Sequence, residues 1–164
     1  MVHDYNTKPL KCVLAMAVFF IAVVSPVAAQ FSFEARVIRI SDGDSLTVRA
    51  GEKNFRVRLH GVDAPERGQA FGTKARDFLV DSVAGKAVAL RVLDVDRYGR
   101  LIAEVLIGTT NWNLELLKAG LAWHYAEYDD TPAYKAAEAA ARASRRGLWT
   151  EPAPEAPWEY RRKN

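Results

Sequence analysis

Cysteine is nearly absent from this chain. The single residue, Cys12, excludes a disulfide framework and any cysteine-based metal site. It precedes the apolar run Val13 to Val24, whereas a lipid-attachment cysteine would follow such a run at a cleavage point. A hydrophobic stretch long enough to cross a bilayer is missing as well: that run spans about 12 residues, against the roughly 20 that a transmembrane helix needs. There is no strong charge excess. The 23 lysines and arginines face 20 aspartates and glutamates, a formal net charge of +3, which permits a nucleic-acid partner without demanding one. No internal repeat is present, so solenoids and propellers are excluded.

The N-terminus has the features of a secretory signal. Lys8 and Lys11 precede the apolar run, Ser25 and Pro26 break it, and Val27-Ala28-Ala29 supplies small residues for a signal peptidase. Cleavage is expected after Ala29, leaving a secreted or periplasmic protein that begins at Gln30 and has no stable membrane association. Residues 30–150 fit one domain with a single core, and 151–164 form a proline-rich tail. Pro152, Pro154 and Pro157 read as an extended strap, pinned by Trp158 and followed by the basic run Arg161-Arg162-Lys163. A monomer is expected.

Strand patterns dominate the first part of that domain. Leu46, Val48 and Ala50 alternate with Ser45, Thr47 and Arg49, and Phe55, Val57 and Leu59 alternate with Arg56, Arg58 and His60. The Asp42-Gly43 step marks a hairpin, read here as a glycine at positive φ. Runs at 33–40, 87–93 and 101–107 complete five candidate strands. Ala75, Phe78, Leu79 and Val83 lie on one helical stripe that Gly85 stops. Trp112, Leu116 and Leu117 mark a second helix, capped by Thr110 or Asn111 and stopped by Gly120. A third has Thr131 as N-cap, Pro132 at its first position and an alanine-rich body running to Arg146 before Gly147. The pattern supports a small α+β domain, with a five-stranded OB-fold β-barrel and three flanking α-helices as the expected architecture.

The polar residues that stand out are few and ordered. Asp44 leaves the hairpin turn, and Asp63 lies in a loop directly after a strand, where the backbone can aim a carboxylate. Glu66 follows Pro65, whose fixed φ limits the freedom of that carboxylate. Arg58 lies on the polar side of its strand, and Arg100 opens the last strand after Arg97-Tyr98-Gly99. Three acids and two arginines suit metal-assisted phosphodiester hydrolysis, because hard cations take carboxylate and carbonyl oxygens and guanidinium forks grip phosphate oxygens. Taken singly, each has a plainer reading as a turn residue or a solvated strand face. Tyr98, Tyr125 and Tyr128 are candidates for stacking on bases. His60 and His124 sit in no motif and read as packing or surface residues.

The ordered set of Asp42-Gly43-Asp44, RLHGVDAPE at 58–66 and Tyr98-Gly99-Arg100 closely resembles the staphylococcal nuclease family, from about Glu34 to Trp149. That resemblance implies the OB-fold barrel and a Ca²⁺-dependent endonuclease, with Mg²⁺ or another divalent ion as alternatives, acting on DNA and RNA. It implies that Asp44, Asp63 and the main-chain carbonyl of Ala64 bind the metal. It also implies that Arg58 and Arg100 hold the phosphate, that Glu66 activates water, and that Arg97, Tyr98, Tyr125 and Tyr128 meet the substrate. Ala64 stands where the staphylococcal enzyme has threonine, and the loop after Glu66 is shorter than in that enzyme. The alternative reading is a catalytically inactive OB-fold module that binds nucleic acid or protein. Such modules usually lack part of the acidic and arginine set, and this chain lacks none of it.

Overall fold

The computed structural model describes residues 31–163; the expected signal segment and its cleavage point lie outside the described residues. A curled sheet carries the fold. Strand β1 (Phe31–Ile40) pairs antiparallel with β2 (Ser45–Ala50), and β2 with β3 (Lys53–Leu59). On its other edge β1 pairs with β5 (Ala87–Val95), which pairs with β6 (Leu101–Ile107). A parallel pairing of β3 with β6 closes the ring, matching Val57 to Leu101 and Leu59 to Ala103. The result is the expected closed five-stranded barrel, which removes free sheet edges. Its interior is filled by Val37, Leu46, Val48, Val57, Leu59, Val88, Leu90, Val92, Ala103 and Val105, all essentially inaccessible.

The apolar residues on both faces of β1 have a local cause. Its register with β2 shifts between Val37 and Arg39, so a bulge at Ile38 turns that side chain outward while Val37 and Ile40 both point inward. The hairpin glycine acts differently from its expected role. Gly43 is not at positive φ; a Cβ there would lie 2.6 Å from the Cβ atoms of both Ala64 and Ala75. Glycine is required because the β1–β2 turn presses against the Asp63 loop and helix α1 (Gly72–Val83).

Two short strands, β4 (Val62–Asp63) and β8 (Trp123–His124), form a separate ribbon that pairs Asp63 with Trp123. Between β6 and this ribbon lie β7 (Thr110–Asn111) and α2 (Trp112–Lys118). Asn111 is the cap, its side chain accepting from the N–H groups of Asn113 and Leu114. Asn113, wholly buried, donates to the carbonyls of His60 and Ala103 and accepts from Val105 N–H. One side chain thereby ties α2 to the junction where the barrel closes.

Helix α3 (Pro132–Ala143) departs from expectation at both ends. Thr131 makes no side-chain cap; its hydroxyl donates instead to Asp129 Oδ1 at 2.6 Å. The helix stops before Arg146 because Arg145 takes a left-handed conformation, φ 50°. Arg146 N–H then reaches the Ala141 carbonyl and Arg145 N–H the Arg142 carbonyl, a Schellman ending built without glycine. A 3₁₀ turn (Gly147–Thr150) follows. The tail is not extended throughout: Pro157 starts a fourth helix, α4 (Pro157–Lys163), beyond the three expected. Trp158 stacks on Tyr125, with rings 5.7 Å apart and 5° from parallel, and meets the edge of Trp123 at 5.5 Å. Among the described residues no helix is long and apolar enough to cross a membrane.

Candidate active site

The three expected acidic segments converge at one end of the barrel. Asp44, 2% exposed, and Asp63, fully buried, are held by different means. Asp44 follows a turn in which its own N–H donates to Asp42 Oδ1 at 3.1 Å and its carbonyl accepts from Leu59 N–H at 2.8 Å. Asp63 is fixed by the β4–β8 ribbon. The Ala64 N–H donates to Asp44 Oδ2 at 2.6 Å, which sets the Ala64 peptide unit beside that carboxylate.

Arg58 lies between the two aspartates. Its Nη1 donates to Asp44 Oδ1 and its Nη2 to Asp63 Oδ1, the latter at 2.6 Å. Burial disfavours the guanidinium charge, but Asp44 and Asp63 outweigh it and its pKa lies above the ordinary arginine value. In this structure the Arg58 fork is thus engaged with carboxylates, where the sequence reading gave it a phosphate. Burial pushes the Asp44 carboxyl up to about 7, against the opposing pull of Arg58, with Asp42 and Asp63 adding to the rise. The two buried carboxylates, Asp44 and Asp63, share the Arg58 guanidinium.

Glu66 lies at the rim on a turn that sequence reasoning did not resolve. Its N–H donates to Gln69 Oε1 at 2.9 Å, and its carbonyl accepts from Gln69 N–H at 3.0 Å. A Cβ on Gly72 would lie 2.1 Å from the Glu66 carbonyl oxygen, so the shortened loop is drawn tightly over the start of α1. Gln69 and Gly72 are positioning residues of the site. The signal that could have exposed them is the brevity of the segment joining Pro65 to the helix.

A third residue of the site, Arg161, was read from the sequence only as part of a basic run. Arg161, on α4, donates from Nη2 to Asp63 Oδ2 at 2.9 Å, and from Nη1 to Asp63 Oδ1 at 3.1 Å and Glu66 Oε1 at 2.6 Å. The hydrogen bond to Asp63, joined by that to Glu66 and opposed by partial burial, holds its pKa above the ordinary arginine value.

The remaining candidates form two groups. Asp96 accepts from the N–H groups of Tyr98 and Arg100 and from Arg100 Nε, all within 2.9 Å. Burial alone would raise its carboxyl, but these bonds together outweigh it and hold the pKa below the usual range. Arg97 and Arg100 flank the exposed Tyr98 ring at 4.9 and 5.8 Å from its centroid. Arg100 directly precedes β6, two residues before Ile102, the register partner of Arg58, and in this structure its guanidinium is bonded to Asp96. Tyr125 and Tyr128 pack together at 4.8 Å on the other side of the ribbon, where Tyr125 N–H donates to the Gly61 carbonyl. His60 and His124 are packing residues as expected: both bond to Asp129, at 3.1 and 2.8 Å.

Among the described residues no group of three or more His, Cys, Asp or Glu side chains is arranged to hold a metal ion. An ion at this site would rest on two aspartates, a main-chain oxygen and its own waters. The hard oxygen donors fit such an ion.

Comparison with known proteins agrees with this geometry. Residues 56–151 match the family model described as "Staphylococcal nuclease homologue". A Haemophilus influenzae protein named an uncharacterized endonuclease is 40% identical over 152 residues, covering 92% of this chain and 85% of its own. The micrococcal nuclease of Shigella flexneri is 38% identical over 165 residues, covering 93% and 94%. Relatives that share nearly the whole chain carry nuclease names, which supports the nuclease reading over the inactive-module alternative. The chain belongs to the staphylococcal nuclease family and is a nuclease, a hydrolase of phosphodiester bonds.

Proposed function

We propose that the protein is a divalent-metal-dependent endonuclease, with Ca²⁺ as the natural ion, that cleaves DNA and RNA without strong sequence preference. The observation that supports this most directly is the burial of Asp44 and Asp63 side by side around Arg58, with Glu66 bound to the same cationic group as Asp63. Asp44, Asp63 and the Ala64 carbonyl would hold the ion, which supplies Lewis acidity toward a phosphate oxygen. With an ion on the two aspartates, Arg58 would be released from them, and with Arg100 it grips the phosphate and holds the charge that grows on it. Glu66, a third exposed at the rim, takes the proton of the attacking water. The bond from phosphorus to the 5′-oxygen then breaks, leaving a 3′-phosphate and, once that oxygen is protonated, a 5′-hydroxyl.

Substrate contacts on this reading divide between the two aromatic groups. Tyr98 with Arg97 receives one side of the strand, and Tyr125 with Tyr128 stacks on bases of the other. Such contacts ignore base identity because every base has a π-face, in keeping with action on both nucleic acids. We further propose a monomer that acts outside the cytoplasm after removal of residues 1–29. Digestion of DNA and RNA by the purified protein with Ca²⁺, with Mg²⁺ or with excess chelator tests the central reading. Cleavage restored by Ca²⁺ and abolished by chelator is expected; undiminished cleavage in chelator would refute metal dependence.

A further inference from the structure

Helix α4 touches the site at two points that a nucleic-acid complex would need. Trp158 lies flat on Tyr125, the arrangement a nucleobase takes on an aromatic platform. Three residues later, on the same helical face, Arg161 bonds both oxygens of Asp63 and one of Glu66. The segment is tied down nearby, where Gln69 Nε2 donates to the Glu155 carbonyl at 2.7 Å and Lys163 pairs with the Glu155 carboxylate.

The helix depends on these contacts. Its seven residues are far below the roughly 12–15 that an isolated helix needs in water, so it persists only while docked. The Arg161 side chain is 40% exposed but Asp63 is fully buried, so undocking leaves that carboxylate short of a cation unless a divalent ion takes the place of Arg161.

We propose that α4 is a built-in plug for the active site. Arg161 occupies the cationic position on Asp63 and Glu66, Trp158 occupies a base position on Tyr125, and divalent ion and substrate bind by displacing the helix. The inference rests on the metal-dependent reading above and adds to it a source of self-inhibition: only the fraction of molecules with α4 undocked is competent to bind, which weakens apparent affinity by that fraction.

The test is calorimetric titration of Ca²⁺ into the full-length protein without nucleic acid, for the parent, Arg161→Gln, Trp158→Ala and Arg162→Gln, with circular dichroism to verify folding. Arg162 pairs with Glu159, at 3.8 Å, and its replacement measures the effect of removing one tail charge. Arg161→Gln and Trp158→Ala are each expected to bind Ca²⁺ about tenfold more tightly than the parent, with Arg162→Gln unchanged. Tightening in Arg161→Gln alone would reduce the contact to local charge and overturn the plug. So would Ca²⁺ binding equal to the parent in both variants, in a protein whose digestion of DNA requires the ion. If no variant binds a divalent ion and the parent cleaves in chelator, the metal reading itself fails and the plug with it.

Discussion

Gly43→Ala is expected to be among the more damaging single substitutions in this protein, for a reason unrelated to backbone conformation. Gly43 has no positive φ, so alanine can adopt its dihedrals without strain. The new methyl would lie 2.6 Å from two others, those of Ala64 and Ala75, where carbon atoms settle at about 3.5–4.0 Å. One wall or both must retreat by about 1 Å, and overpacking of this kind costs about 1–3 kcal/mol. If the Ala64 side yields, its N–H leaves Asp44 Oδ2, now 2.6 Å away, and a hydrogen bond to a charged group is lost, about 1.5–3 kcal/mol. A loss of about 1–3 kcal/mol follows, or about 2.5–6 kcal/mol where the Ala64 bond is lost as well, a large share of a domain stability of about 5–15 kcal/mol. Urea denaturation reads it as a lower midpoint at unchanged slope. Ala75→Gly removes one of the two obstructing methyls, at a cost of its own of about 1 kcal/mol in a helix interior. The double variant should therefore be more stable than the two single losses predict, by on the order of 1 kcal/mol. Strict additivity, or a loss in Gly43→Ala below about 0.5 kcal/mol, would refute the account of the turn as a close contact.

Glu66→Gln should lower turnover by about 10²–10⁴ while Ca²⁺ affinity changes far less; parallel loss of both would make Glu66 a ligand, and loss of neither an ordinary loop residue. Arg58→Lys and Arg100→Lys keep the charge, so salt-dependent association with nucleic acid should persist while turnover falls sharply, since ammonium cannot reproduce the guanidinium fork; lysine variants that cleave like the parent would leave these arginines as counter-ions of Asp44, Asp63 and Asp96 only. Asp129 is pushed up by burial, but its bonds from Thr131 and His124 prevail and its folded pKa lies below the unfolded value. Its stabilisation is therefore fully present above the unfolded pKa of about 3.9 and lost as pH falls through the folded pKa. Asp129→Asn should cost about 1–3 kcal/mol at neutral pH, with the gap to the parent narrowing as acid unfolding is followed below about pH 4; a gap independent of pH would contradict this.

The barrel was legible because its strands are half-buried and alternate, as with Val57 and Leu59 facing in while Arg56 faces out. Legibility failed where tertiary contact overrode local chemistry. Thr131 has the residue type of an N-cap, yet Asp129 claims its hydroxyl because two histidines from other elements fix that carboxylate. The α3 terminus was placed too late because a Schellman ending on arginine leaves no glycine to read. Gly43 was recognised as necessary for the wrong reason: its neighbours Ala64 and Ala75 are distant in sequence, and only the fold shows that they meet there.

The site was legible to the extent that its carboxylates come from short local motifs, and illegible in what neutralises them. Burying Asp44 and Asp63 together creates a demand for positive charge that folding must satisfy before any ion arrives. Arg58, five residues from Asp63, meets part of it with one guanidinium nitrogen on each aspartate. Asp63 gains a second guanidinium from Arg161, 98 residues further along, while Asp44 pairs with Arg58 and burial pushes its carboxyl to about 7. No periodicity connects Arg161 to Asp63. The only trace in the sequence is indirect: Pro157 can start a helix, and Trp158 and Arg161 then share a face, so an aromatic anchor on the domain carries an arginine with it. An acidic site built for a divalent ion is thus expected to recruit a cation from wherever an anchored segment can reach. The place to seek it is a basic residue spaced three or four from an exposed aromatic residue in a tail, which the sequence offers here at 158 and 161.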